Sequence, residues 1–241
     1  MSAKSLLSFR FKGDYGHFGL RYATTSSPTH SIPPRHTLAG VIASILGIER
    51  EMVAEVFHPD QCDIGISVDS SISTLRVPIK LMKIKSRTAM AFHVPKEHNI
   101  VPYQFLRNPS YTIYFDHQDA KLKKKLRDML IAHECVYPPS MGLAYLLADF
   151  EWLGDIDVEV SGDEELKVIS SFPVDEVEVY PEAGNSVVLE RFALYLDSRR
   201  RPYKFHRVMV DVEGSPISMK SIKRELAVPY TDKEGKTIFL W

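Results

Sequence analysis

Tyr15-Gly16-His17-Phe18, then a Thr/Ser/Pro-rich stretch, then Pro33-Pro34-Arg35-His36-Thr37-Leu38-Ala39-Gly40-Val41-Ile42-Ala43-Ser44-Ile45-Leu46-Gly47-Ile48: this is the segment on which the fold turns. Pro34 suits a first helical turn, where its missing N–H has no partner to lose. Leu38, Val41, Ile42 and Ile45 recur at helical spacing and predict one buried face. Gly47 fits the left-handed position just past a helix end. Gly40, inside the helix, costs about 1 kcal/mol relative to alanine. Close approach of another backbone or a ligand would account for it, and so would tight helix–sheet packing. Upstream, Leu6-Leu7-Ser8-Phe9-Arg10-Phe11 alternates weakly and reads as a strand ended by Gly13-Asp14. A strand therefore feeds a Thr/Ser/Pro-rich, extended loop over residues 23–34 and then a helix. Arg35 and His36 at the helix mouth set cations beside free backbone N–H groups, an arrangement suited to a phosphate.

Working outward, Glu49 to Phe57 continues as helix or turn and Asp63 to Val68 reads as a short strand. Residues 72–87 read as a strand with lysines between Ile79, Leu81 and Ile84, and Leu81-Met82 predicts a bulge. Thr88 to Pro95 would be the return arm of a hairpin. Ser110 to Phe115 is a strand, with Tyr111, Ile113 and Phe115 on one face and Thr112 and Tyr114 on the other. Asp116 or Asp119 caps an amphipathic helix carrying Leu122, Leu126, Met129 and Leu130. Its Lys121, Lys123, Lys124, Lys125 and Arg127 read as a solvated face. Tyr137 to Gly142 is a turn, a short apolar helix runs to Leu147, and a strand begins at Phe150. With the hairpin set aside this is a split βαβ pattern, the ferredoxin-like arrangement. RNA-binding domains use it, as do many unrelated proteins. From about residue 150 the chain turns acidic and strand-rich, with strands at 156–160, 166–171, 174–180, 187–196, 207–212 and 237–240. The expected class is α+β, divided near Gly154 into residues 1–153 and a smaller β-rich region, 154–241.

The 241 residues are 44% hydrophobic and 25% charged, an ordinary globular composition. No apolar run approaches the roughly 20 residues that span a bilayer. Met1-Ser2-Ala3-Lys4-Ser5 shows no signal-peptide pattern, so a cytoplasmic protein with no membrane partner is expected. Cys62 and Cys135 supply neither a disulfide framework nor a metal cluster, and both are expected to be mostly buried thiols. The net charge of −1 hides an asymmetry. Residues 70–115 hold Glu97 against Arg76, Lys80, Lys83, Lys85, Arg87, Lys96 and Arg107. Residues 149–182 hold twelve acids against Lys167. Such a division points to a polyanion on one face and to repulsion or protein contacts on the other.

Residues 10–48 closely resemble the N-terminal signature of the Cas-five (CasD-like) family of CRISPR-associated proteins, in the RAMP superfamily. The shared features are the Gly-His-Phe loop, the Pro-Pro-basic helix start and the Leu-Ala-Gly-Val-Ile helix closing on Leu-Gly-Ile. Asn108 to Phe115 is similar to a later strand of that family. Pro139-Ser140-Met141-Gly142 resembles its Pro-x-Leu-Gly turn, with Met141 where Leu is usual, and Glu190-Arg191-Phe192 resembles a weaker C-terminal motif.

This resemblance implies a subunit of a type I Cascade surveillance complex, of subtype I-A or I-B. It implies a ferredoxin-like (RRM-like) domain with a β-hairpin thumb at about 70–107. The implied partners are the 5′ handle of the CRISPR RNA, the Cas-seven backbone subunit, the Cas-eight large subunit and target DNA within the complex. Guide RNA needs cations, aromatic faces and backbone donors. The residues that would supply them are Lys12, Tyr15, His17, Phe18, Arg21, Arg35, His36, Arg76, Lys80, Lys83, Lys85 and Arg87. Arg199-Arg200-Arg201-Pro202-Tyr203-Lys204-Phe205-His206-Arg207 interleaves cations and aromatics. It reads as a charged turn ahead of a strand or as an added nucleic-acid contact.

Some members of the family, in type I-C systems, cut precursor CRISPR RNA without metal, using Tyr, Lys and His with the last two adjacent. No Lys-His dipeptide occurs here, so a non-catalytic protein without cofactor is expected. A nuclease would have to draw on Tyr15, His17, His36 and His117. A third reading, a ferredoxin-like small-molecule-binding regulatory domain, lacks a G-x-G-x-x-G or Walker loop to support it.

Overall fold

The computed structural model describes residues 3–20, 25–82, 98–161, 165–197, 199, 201–222 and 228–241. The chain is α+β, with many strands and few helices. In order it runs β1 (Ala3–Lys12), β2 (Tyr15–Gly16), α1 (Arg35–Leu46), α2 (Val53–Val56), β3 (Cys62–Val68), β4 (Ser73–Met82), β5 (His98–Arg107) and β6 (Ser110–His117). It continues with α3 (Ala120–Ala132), β7 (Asp149–Val160), β8 (Glu165–Val168), β9 (Phe172–Pro173), β10 (Val177–Tyr180), β11 (Val187–Leu196) and β12 (Pro202–Asp211). The last strands are β13 (Ile217–Ile222), β14 (Val228–Asp232) and β15 (Thr237–Leu240).

Among the described residues, nine strands form one sheet in the order β10-β13-β8-β15-β14-β7-β1-β6-β3. Within it β1 lies between β7 and β6, and β3 pairs with β6, all antiparallel. Leu7, Phe9 and Phe11 of β1 belong to the same buried cluster as Leu38, Val41, Ile42 and Ile45 of α1 and Leu126 and Leu130 of α3. Burying each such side chain is worth roughly 1.5–3 kcal/mol. A smaller cluster, Leu6, Tyr114, Val158, Tyr230, Ile238 and Leu240, forms apart from it. Strand β6 therefore alternates, with Tyr111, Ile113 and Phe115 in the first cluster and Tyr114 in the second, on the face that also carries Thr112 and Asp116.

Several sequence expectations hold and several need correction. Asp119, not Asp116, caps α3, its carboxylate accepting from the N–H groups of Lys121 and Leu122. Gly47 ends α1 with φ 73°, and Lys125 donates to the freed Leu46 carbonyl. A Cβ on Gly40 would meet nothing within 4 Å, so neither another backbone of this chain nor tight helix–sheet packing accounts for it. The segment from Gly142 to Leu147 is turn and bend rather than helix. The expected boundary at Gly154 falls inside the continuous strand β7. Gly154 takes φ 135° where the β1–β7 register slips between Ser8 and Phe9, so it marks a bulge. Cys62 is buried but Cys135 is exposed. No described helix is long and apolar enough to cross a membrane.

Strands β4 and β5 form a hairpin, joined at its base by β2. Its register is unbroken from Ser73 opposite Arg107 to Met82 opposite His98, so the bulge expected at Leu81-Met82 is absent. The return strand is residues 98–107. The expected arm Thr88 to Pro95 lies outside the described residues, as do Arg21, Lys83, Lys85 and Arg87.

Candidate nucleic-acid interface

Strand alternation sets the hairpin's chemistry. Arg76, Pro78, Lys80 and Met82 share one face with their partners Gln104, Pro102, Ile100 and His98. Arg76, Lys80 and His98 are all exposed on it. At the hairpin base Tyr15 pairs across from Arg107, and both are exposed. Arg107 was visible in the basic stretch but nothing in the pattern placed it beside Tyr15.

The Gly16-His17-Phe18 loop turns out to be a joint. His17 is 4% exposed. Its Nδ1 meets the Gln104 carbonyl at 2.8 Å and its Nε2 meets the Ser27 hydroxyl at 3.1 Å. Its ring packs against Tyr103 and Phe105 of the hairpin. Phe18 lies in the main core. The His17 N–H donates to the Met141 carbonyl. Gly142, at φ 94°, sits so close that a Cβ there would lie 2.0 Å from the His17 carbonyl oxygen. The first and third sequence motifs thus brace each other. The fourth joins them: Glu190 accepts from Ser31 N–H at 2.6 Å and meets His30 Nδ1 at 2.5 Å, fastening the loop ahead of α1. These links fix where the hairpin leaves the body, and they withdraw His17 and Phe18 from any ligand.

Arg35 is also withdrawn, at 1% exposure. Its Nε donates to the main-chain oxygen of Trp241, Nη1 to that of Phe57, and Nη2 to that of Cys62 and to Cys62 Sγ. Burial lowers its pKa from the ordinary value. The expectation that it offers a cation to a phosphate at the helix mouth is overturned by this full set of carbonyl partners. His36 instead lines an open groove of about 630 Å³ along α1, with Thr37, Gly40, Ser44, Arg50, Tyr137 and Tyr195. Arg50 and Tyr137 are exposed, and neither they nor Tyr195 stood out in the sequence because two separate loops and strand β11 contribute them.

Lys12 lies 3.4 Å from Glu151 and 3.9 Å from Asp149, and Arg10 pairs with Asp69 and Glu151. Asp155 pairs with Arg127, Asp157 with Lys233 and Asp175 with Arg207. The exposed Glu151 carboxyl is held below its usual range by the hydrogen bond from Lys12 and the nearby Arg10. Among the described residues of the acidic segment, Asp149, Glu151, Asp155, Asp157 and Asp175 are thus paired with bases from neighbouring elements, and Lys12 is already partnered. Of the expected interface residues, the described and accessible ones are Tyr15, His36, Arg76 and Lys80, together with the ion-paired Lys12.

Fold and surface together define an α+β protein with a cationic two-stranded ribbon rooted in a braced loop. The family model described as "CRISPR-associated protein (Cas_Cas5)" matches residues 6–128, and the chain belongs to that family. Among solved structures it is similar to a CRISPR protein from Archaeoglobus fulgidus, at 15% identity and TM-score 0.58, over 99% of this chain and 98% of that chain. A chain of a CRISPR RNA-guided surveillance complex matches at 16% identity and TM-score 0.50, over 92% of each. A chain of a Type III-B Cmr-beta complex bound to cognate target RNA and AMPPnP matches at 14% and 0.51, over 89% of this chain and 86% of that one. These likenesses are likenesses of fold. A search of curated proteins gave no match.

Proposed function

We propose that this protein is a non-catalytic, RNA-binding subunit of a CRISPR effector complex of the type I Cascade kind. In that role it holds the 5′ handle of the CRISPR RNA and joins the Cas-seven backbone to the Cas-eight large subunit, in the cytoplasm. The observation that carries the reading is the exposed β4–β5 ribbon with Arg76 and Lys80 on one face, in a chain that belongs to the CRISPR-associated family. We read the body from which it leaves as ferredoxin-like, because strands β7-β1-β6-β3 run in the 4-1-3-2 order of a split βαβ unit, with α1 and α3 as its crossovers. Family membership and the neighbours' assemblies support the complex.

The geometry favours a scaffold over the metal-independent nuclease. His17 has both ring nitrogens engaged and is buried. His117 Nε2 meets the Val56 carbonyl and its Nδ1 accepts from Asp119 N–H. Neither is placed to move a proton on a substrate. The test is incubation with labelled repeat RNA in EDTA, resolving retained complex and products in parallel. Retention of RNA without cleavage is the expected result. Metal-independent cutting within the repeat would make the protein a processing nuclease, and no retention at low salt would refute RNA binding.

A further inference from the structure

We infer that the exposed face of the β11–β12 hairpin is a stacking platform for single-stranded RNA that continues the α1 groove; this rests on the RNA-binding reading above. Tyr195 is the join. It lines the α1 groove and packs edge-on against His58 at 4.6 Å, and its ring lies 5.2 Å from Tyr203 across the hairpin. Cross-strand register puts Arg191, Tyr195, Tyr203, Phe205 and Arg207 on one face. The other face, with Phe192 and Val208, is buried in the core. Tyr203 is 52% exposed and Phe205 47%. Arg191 sits over the Phe205 ring at 4.8 Å, showing that this ring already takes a flat cationic partner.

The half-exposed Tyr203 and Phe205 rings lie on the same face, two positions apart on β12, and leave part of each π-face open to solvent. The charge identifies the occupant. Residues 198–210 hold Arg199, Arg200, Arg201, Lys204 and Arg207 and no acid. Among the described residues, Asp197 pairs with Arg201 and Asp175 with Arg207. An excess of bases interleaved with accessible π-faces is what a polyanion with unstacked bases requires, whereas an apolar protein partner gains nothing from the charge. The platform is sequence-tolerant, since every base presents a face to stack.

The test uses the full chain and a fluorescein-labelled single-stranded RNA 20-mer with 4-thiouridine at each uridine. Irradiation should crosslink the RNA to the peptide holding Tyr203 and Phe205. Tyr203→Ala with Phe205→Ala should weaken binding roughly tenfold or more, as loss of base stacking does. Arg191→Ala should lower the slope of log affinity against log salt by about 0.7. Both rings are exposed, so an unchanged melting temperature should accompany these losses. Wild-type affinity in the double variant, with crosslinks confined to the α1 groove or the β4–β5 ribbon, would overturn the platform and leave RNA binding standing. Wild-type RNA affinity with loss of a co-assembling subunit would assign the face to protein and likewise overturn it. No RNA binding by the unaltered chain would overturn both readings together.

Discussion

The Nε of Arg35, at the start of α1, donates to the main-chain oxygen of Trp241 at 2.8 Å, across 206 positions of sequence. The same guanidinium holds the carbonyls of Phe57 and Cys62, so one side chain ties the first helix to α2, β3 and the residue after β15. Buried carbonyls that lose a donor cost about 1–3 kcal/mol each. Arg35→Ala should therefore destabilise by about 3–5 kcal/mol, and Arg35→Lys should recover little, because an ammonium cannot span the three acceptors. Urea unfolding of both variants checks this. A lysine variant of normal stability that had lost RNA affinity would instead make Arg35 a phosphate ligand.

Gly142 should tolerate no side chain. Its φ of 94° disfavours any L-residue, and a Cβ would collide with the His17 carbonyl at 2.0 Å. Gly142→Ala is expected to cost on the order of 2–4 kcal/mol and to loosen the hairpin base, read as faster hydrogen exchange at the His17 amide. Gly40 is the contrast. A Cβ there meets nothing within 4 Å, so Gly40→Ala should raise stability by about 0.5–1 kcal/mol. A melting temperature unchanged in the first variant or lowered in the second would contradict these assignments.

Stability should fall at alkaline pH. Burial pushes the Cys62 thiol from its ordinary 9.0 up to about 11, against the pull of Arg35. Between those values the folded state holds a proton that the unfolded state has released, so stability declines as pH rises. The loss approaches roughly 2–3 kcal/mol by pH 11. Cys62→Ala should flatten the decline between pH 9 and 11 in thermal melts, and an unaltered slope would place its origin elsewhere. At the acid end, burial works against ionisation of Asp116, but the hydrogen bond and charge of Lys123, with Lys4, outweigh it and lower its pKa. Its contribution is present above the unfolded carboxylate value near 3.9 and is lost as pH falls through the lower folded value.

How much of this was legible beforehand depends on the range of each interaction. Helix α1, its stop at Gly47 and the alternating strand β6 are local patterns, and they were read correctly. The roles of Arg35, His17 and Phe18 were misread for one reason: cations and aromatics next to glycines and a helix start look accessible until distant carbonyls and the core are folded over them. Glu190 carried a motif, but its purpose appears only when β11 meets the loop at His30 and Ser31, about 160 positions away. Strands β13 and β14 were missed because Ser218 and Lys220, and then Pro229, Thr231 and Asp232, dilute any apolar run. The groove along α1 was illegible because Arg50, Tyr137 and Tyr195 converge on it from two loops and strand β11.

Arg76 and Lys80 provide the sharpest check on the interface. Both are exposed on one face of a ribbon whose pairing does not depend on them. Arg76→Ala with Lys80→Ala should leave the unfolding midpoint unchanged, since exposed substitutions of this kind usually stay within about 0.5 kcal/mol. If each cation meets a phosphate of single-stranded RNA, the pair should lower the slope of log affinity against log salt by roughly 1.4. Lys12→Ala serves as the comparison. Its ammonium already lies against Glu151 and Asp149, so its removal should leave that slope unaltered. Fluorescence anisotropy with repeat RNA between 50 and 300 mM salt measures all three. A slope that moved with Lys12 and not with the ribbon pair would shift the RNA from the hairpin face to the end of β1 beside Asp149 of β7.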